Sequence, residues 1–347
     1  MTTSVRLVGD VSKALREYDG KRPYLKQSGH LKFYHAKPLT TVIGEDFGSS
    51  MNLGALVRDT SAKADNIIRD LAIRVSECGV CFFEDQDLSY DEQSQLVVRM
   101  AHLTGSPKES HLHRQPVSVK DEGRAFEVSN KILEEHGSSI FPGLFANQYW
   151  HVDSTFEHVG PAYSCLRLYA APEAGGDTLW CSLHDCCDKL SPSFLRYLEG
   201  LTAEHSAAWY LAFTDKEKLA TNRGHPDNSD PSLKATHPVI ATHPVTGLKV
   251  LNVNRAYTKH INGLTKEESD LLLEYLYRII SDNHDIQVRF HWKANDVALW
   301  DNRSTAHCVT NDYAGKHRYG IRSLSSGERA TANKKSQTKS QARSAHT

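Results

Sequence analysis

Short apolar runs separated by turn residues, from about Phe126 to Leu183 and again in IQVRFHW (286–292) and DVALW (296–300), most narrow what this chain can become. A buried strand needs only such a run, whereas a stable helix needs a longer stretch of amphipathic period. Helical spacing is confined to a few segments before and between these runs. From Ala62 to Cys78, Ile67, Ile68, Leu71, Ala72 and Val75 recur on one face and Gly79 is placed to end the helix. VCFF (80–83) then reads as a buried strand. Ser89 with Glu92 forms a capping box for a second helix through Leu96, Val97, Met100 and Leu103, stopped by Gly105. Ser191 to Leu201, with Pro192 in its first turn, predicts a third, and Thr265 with Glu268 caps a fourth that reaches about Ser281. HPVTG (243–247) is a turn before the strand KVLNV. The expected fold is α+β and mainly β: a double-stranded β-helix (jelly roll) core with flanking helices.

The 347 residues, 39% hydrophobic and 24% charged, suffice for one large core. Residues 1–40 read as an N-terminal arm packed on the body, and 41–325 as a single domain. Within it, about 208–235 form a lid insertion, because 213–235 are polar and loops of that length often cover sites. Beyond Leu324 apolar residues nearly vanish, so 326–347 is expected to be a disordered basic tail. A net charge of −1 supplies no field for nucleic acid, and no run resembles a signal peptide or a membrane span. The seven cysteines follow no secreted-domain spacing, which points to the cytoplasm; Cys78 and Cys81 spell CxxC without a second pair and read as core packing. Cys308, beside a candidate ligand, is an oxidation liability. Homo-oligomerisation is left open.

The chemistry concentrates around histidine. In WHVDSTF, His151 and Asp153 stand two apart on an extended segment and point to one side, so they can share a metal. Such a triplet is weak alone: with 19 histidines roughly one HxD is expected by chance, and another, His225 to Asp227, lies in the polar loop. The best third ligand is His307 in WDNRSTAH, delivered by the strand Val297 to Trp300. Two imidazoles and one carboxylate leave coordination positions open, as in iron(II) oxygenases and unlike closed structural zinc sites.

The runs WHVDSTF (150–156), GGDTLW (175–180), HPVTG (243–247) and WDNRSTAH (300–307), followed by Arg318 and Arg322, resemble the taurine dioxygenase and 2,4-dichlorophenoxyacetate dioxygenase (TauD/TfdA) family. The resemblance runs from about residue 40 to 325, and the arm looks like that of fungal members. It implies an enzyme using Fe(II), 2-oxoglutarate and O2, with iron on His151, Asp153 and His307 and the distal carboxylate of 2-oxoglutarate on Thr178 and Arg318. A guanidinium fork and a hydroxyl suit that carboxylate. The intact Asp153 argues against halogenating relatives. A small acidic substrate, such as a sulfonate, carboxylate or amino acid, would meet Arg322, His113 and Asn147, with Ser154, Tyr210, Leu211 and Tyr257 lining its pocket. Arg114, Gln115 and Pro116 stand where the taurine enzyme has a tyrosine, and Ser154 also departs from it, so taurine itself is not expected. Of two rivals, a zinc hydrolase or lyase on the same ligands has no use for Thr178 with Arg318, and a metal- or small-acid-binding protein without turnover is opposed by the retention of all three ligands together with Arg318.

Overall fold

The computed structural model describes residues 24–116, 126–129, 146–212, 219, 221–313 and 315–344. The strands, in chain order, are β1 (Lys37–Pro38), β2 (Glu45–Asp46), β3 (Val80–Phe83), β4 (Phe126–Ser129), β5 (Pro161–Ala170), β6 (Thr178–Ser182), β7 (Thr202–Ser206) and β8 (Lys234–Pro238). They continue as β9 (Ile240–Thr242), β10 (Lys249–Leu251), β11 (Thr258–Ile261), β12 (Gln287–Phe290), β13 (Val297–Asp301), β14 (Thr305–Val309) and β15 (Tyr319–Ser326). The largest sheet runs β1-β2-β3-β13-β5-β15-β4, and a three-stranded sheet runs β12-β6-β14. Pairing is antiparallel except between β2 and β3.

The continuous apolar runs follow from burial on both faces of the large sheet. Val80, Phe82, Leu166, Leu168, Ala298 and Trp300 pack against Trp180, Val288 and Trp292 of the smaller sheet and its flank. Their alternating neighbours Cys81, Phe83, Tyr163, Cys165, Val297 and Leu299 face the other way, into a helical layer. A strand slipped by one residue would exchange these two sets, which pins the register.

That layer contains α1 (Leu53–Arg58), α2 (Ala62–Cys78) and α3 (Tyr90–Leu103). Ser61 caps α2, and the predicted Ser89–Glu92 capping box opens α3. Gly79 ends α2 at φ 83°, and a Cβ there would lie 2.8 Å from Thr305 Cγ2. Glycine is therefore required both for the turn and for the approach of β14's first residue. On the far side, α4 (Leu183–Asp188), α5 (Pro192–Leu198) and α6 (Lys266–Asp282) build a second core with β9 and β10. The Thr265–Glu268 capping box forms as expected. No helix among the described residues is long and apolar enough to cross a membrane.

A buried polar knot joins two sequence motifs. Asp301, wholly buried, lies 3.1 Å from His243 Nε2 of HPVTG and accepts from Arg303 (2.8 and 2.9 Å) and Ser76 Oγ (2.6 Å). Burial works to raise its pKa, but Arg303 and His243 hold the carboxyl well below the ordinary range. The knot fixes the turn between β13 and β14.

Two expectations require correction. The tail is ordered through Ser344: Thr331 O accepts from Thr242 N (2.7 Å), Gln337 O from Lys249 N (2.9 Å), and a short α7 (Lys339–Ser344) follows. Lys339 Nζ donates to Asp185 (2.7 Å) and to Val42 O (2.9 Å). Apolar content misjudged this segment because it is held by satisfying buried polar groups, not by apolar area. Nor is the expected lid all surface. Arg223 and Asn228 are buried, and Asn228 exchanges hydrogen bonds with both backbone groups of Val159 (2.9 and 2.8 Å). Residues 213–218 and 220 of that insertion and 1–23 of the arm lie outside the described residues. The rest of the arm lies on the body, where Leu25 N donates to Val245 O (3.0 Å) and Asp70 accepts from Ser28 N and His30 N.

Lys339→Met leaves Asp185 buried without its cation, and is expected to destabilise the protein by about 3–5 kcal/mol. Urea denaturation measures this, and a midpoint equal to wild type would mean that the tail only rests on the body.

Candidate active site

Three ligand-type side chains converge because two distant segments pair. His151 N donates to His307 O (2.9 Å) and His307 N to His151 O (2.8 Å), a short antiparallel bridge beside β14. Residues so opposed send their side chains to one face, and the ring centroids are 4.2 Å apart. Asp153, two residues on, shares that face; its Oδ1 is 3.8 Å from His151 Nε2 and 3.9 Å from His307 Nε2. Val152 points oppositely, into a separate pocket also walled by Thr155, His237, His243, Arg303 and Glu328. Ser154, at φ 45°, then turns the chain away.

One donor atom from each of the three lies within 4.8 Å of the others. His151 Nδ1 is 2.9 Å from Tyr149 O. A carbonyl can only accept, so Nδ1 carries the proton and Nε2 keeps its lone pair. Asp153 Oδ2 is buried with no hydrogen-bond partner among the described residues. Burial pushes both imidazoles toward the neutral, ligating form, His307 well below its ordinary value. For Asp153 burial acts upward, yet Arg322, 2.9 Å from Oδ1, and both histidines hold it low. Two neutral nitrogens, one carboxylate and an unspent buried oxygen fit a divalent metal on one face.

A second set of donors stands beside this one. Arg318 precedes β15, is 1% exposed, and donates from Nε to Gly176 O (2.9 Å). Its Nη2 lies 3.4 Å from Thr178 Oγ1, and no carboxylate among the described residues pairs with it. Burial pushes this guanidinium down to about 10. Asp177, between Gly176 and Thr178, is spent on Arg289 (2.6 Å) and His291 (2.7 Å). A buried cation beside a buried hydroxyl suits a carboxylate supplied from outside.

The substrate candidates are dispersed around these sets. Arg322 reaches Asp153 from β15. His113 is buried, with neither ring nitrogen hydrogen-bonded among the described residues, and its Nε2 is 3.7 Å from Glu157 Oε1. Tyr257 packs on Phe156 at 5.2 Å, and Leu211 joins their apolar cluster. Asn147 is exposed on the turn before His151, and the side chain of Tyr210 lies outside the described residues.

Several residues that sequence reasoning missed anchor the site. Arg223 grips Glu157 through two nitrogens (2.5 and 2.9 Å), both side chains being 1% exposed. Nothing local distinguishes Arg223 from the polar loop around it. His237 Nε2 lies 2.9 and 3.0 Å from the carbonyls of Thr155 and Glu157, while His205 Nδ1 and Asn254 Nδ2 reach Thr155 Oγ1 (2.9 and 3.0 Å). The repeated THPV (236–239 and 242–245) was the available signal for His237.

The chain matches the family model described as taurine catabolism dioxygenase TauD, TfdA family over residues 35–324. It is 34% identical over 317 residues to alpha-ketoglutarate-dependent dioxygenase oryG of Aspergillus oryzae, covering 88% of this chain and 91% of that protein. To alpha-ketoglutarate-dependent dioxygenase btcD of Neocamarosporium betae it is 38% identical over 316 residues, covering 86% and 91%. A crystal structure of a taurine dioxygenase from Burkholderia xenovorans superposes with a TM-score of 0.67 at 25% identity, over 86% of this chain and 93% of that one.

Burial pushes His184 down to about 3 and His237 to about 4. An unfolded histidine titrates near 6.5, so below that pH the unfolded chain binds more protons. Stability is thus complete above about pH 6.5 and declines toward pH 4, by roughly 3 kcal/mol for His237. Urea midpoints across this range should fall, and more shallowly in His237→Asn; an identical slope would remove His237 from the acid response.

Proposed function

The chain belongs to the TauD/TfdA family of Fe(II)- and 2-oxoglutarate-dependent dioxygenases, and on that premise we propose that His151, Asp153 and His307 hold its iron and Thr178 and Arg318 its 2-oxoglutarate. The protein is an enzyme that oxidises a small substrate with Fe(II), 2-oxoglutarate and O2. The single observation that carries the residue assignment is the convergence of three ligand atoms beside a buried guanidinium that pairs with no carboxylate among the described residues. We read the two face-packed sheets as a jelly-roll core, the body as one domain, and the location as cytoplasmic; the seven cysteines are all free thiols.

Iron with its co-substrate supplies the oxygen chemistry, coupling decarboxylation of 2-oxoglutarate to succinate and CO2 with oxidation of an unactivated C–H bond. The chain's own residues orient and exclude. Tyr149 O fixes the ring of His151, and the His151–His307 bridge fixes the spacing of the two imidazoles. Arg318 and Thr178 would hold the co-substrate's distal carboxylate. Arg322 and His113 offer donors to an acidic head group, which supports a sulfonate, carboxylate or amino acid as substrate; Phe156, Tyr257 and Leu211 present an apolar wall to the rest. Asp153 and His307 are buried and the His151 side chain is mostly so, an enclosure that would limit bulk water at the metal.

Arg318→Ala is expected to weaken 2-oxoglutarate binding by about 2–5 kcal/mol, the usual cost of truncating one partner of a buried charge pair. An unchanged 2-oxoglutarate dependence would refute its role. Asp153→Ala should abolish iron-dependent succinate formation, and normal succinate release by that variant would remove Asp153 from the metal site. A screen of small sulfonates, carboxylates and amino acids for O2-dependent succinate release tests the substrate class; stimulation only by uncharged compounds would overturn it.

A further inference from the structure

We propose that Trp292 is a positioning residue for 2-oxoglutarate: its indole N–H turns the Thr178 hydroxyl so that the hydroxyl proton is offered to the co-substrate's distal carboxylate. The inference rests on the assignment of Thr178 and Arg318 given above. Trp292 Nε1 lies 3.0 Å from Thr178 Oγ1, with the two residues 2% and 4% exposed. An indole N–H can only donate, so in this contact Thr178 is the acceptor. The second neighbour of the same oxygen, Arg318 Nη2 at 3.4 Å, is also donor-only.

A hydroxyl has one proton and two acceptor positions. Two donors converge on this oxygen, so its proton can go to neither of them. No described residue accepts that proton, although a buried polar hydrogen ordinarily finds an acceptor. The unspent proton stands beside a guanidinium that also pairs with no carboxylate among the described residues. Together they form a set of donors and no acceptor, which a carboxylate satisfies.

The indole is held in place for this task. Trp292 follows β12, whose Phe290 pairs with Thr178 across the sheet, so the backbone delivers it to the hydroxyl. Its ring stands edge-on to Phe290 at 5.2 Å and 88°, and Trp180 flanks it at 6.2 Å. Without the N–H, the hydroxyl can rotate to donate elsewhere, and the ligand loses a pre-aimed donor.

The test is calorimetric titration of the anaerobic Fe(II)-loaded protein with 2-oxoglutarate, which reads binding without turnover. Trp292→Phe is expected to raise Kd about tenfold, the scale of one hydrogen bond, and to raise KM for 2-oxoglutarate while leaving kcat near wild type. Replacing Trp292 by its benzothienyl isostere removes only the N–H and serves if the phenylalanine variant does not fold. Thr178→Val should also raise Kd, and Trp292→Phe should add nothing on that background. Equal losses on both backgrounds, or an unchanged Kd in the isostere, would overturn the role of Trp292. An unchanged Kd in Thr178→Val would instead overturn the assignment of Thr178 on which the inference rests.

Discussion

Two backbone hydrogen bonds between His151 and His307 are the contact on which the site depends. They hold together segments that have no local reason to meet, and they set which side chains share a face. A slip of one residue would send Val152 toward the metal position and both ligands of that segment away from it. The register is guarded from behind. His307 is placed by the pairing of β14 with β6, opposite Trp180, and the turn before it by Asp301 with His243, Arg303 and Ser76. The His151 segment is held by Thr155, caught between His205, His237 and Asn254.

Buried charges fall into two kinds here. Asp301, Glu157 and Asp185 are saturated by partners: Arg303 and His243, Arg223, and Lys339. Such pairs add little net stability against an apolar core of equal shape, but breaking one is costly, so they hold geometry more than they hold the fold. Asp153 Oδ2, the ring nitrogens of His113 and the Arg318 guanidinium are not saturated in this way. Unpaired buried polarity is expensive, and where it adjoins a set of ligand-type side chains it marks where ligands complete the structure.

Much of the framework was legible. Both capping boxes, the glycine stop after Cys78 and the strands VCFF and DVALW depend on contacts within a few residues or on burial alone, which a linear pattern records. The tail and the 221–230 segment were not. Lys339 is ordered by Asp185 and Val42, and Arg223 by Glu157, partners remote in the chain. Composition counts apolar residues, and these segments are held by charge and hydrogen bonding instead.

The linear chain determined its chemical inventory: an HxD on extended backbone, a third histidine after the strand-like run DVALW, the GGDTLW run, and two arginines four residues apart, Arg318 and Arg322. It also determined the local elements that carry them, because helix caps and strand alternation act over a few residues. Tertiary structure alone decided which of the 19 histidines face one another, that Trp292 stands behind Thr178, and that Arg223 lies inside. The physical reason is range: ligand and donor atoms must agree to within a few ångströms, and only sheet register and buried polar contacts transmit that precision between distant segments.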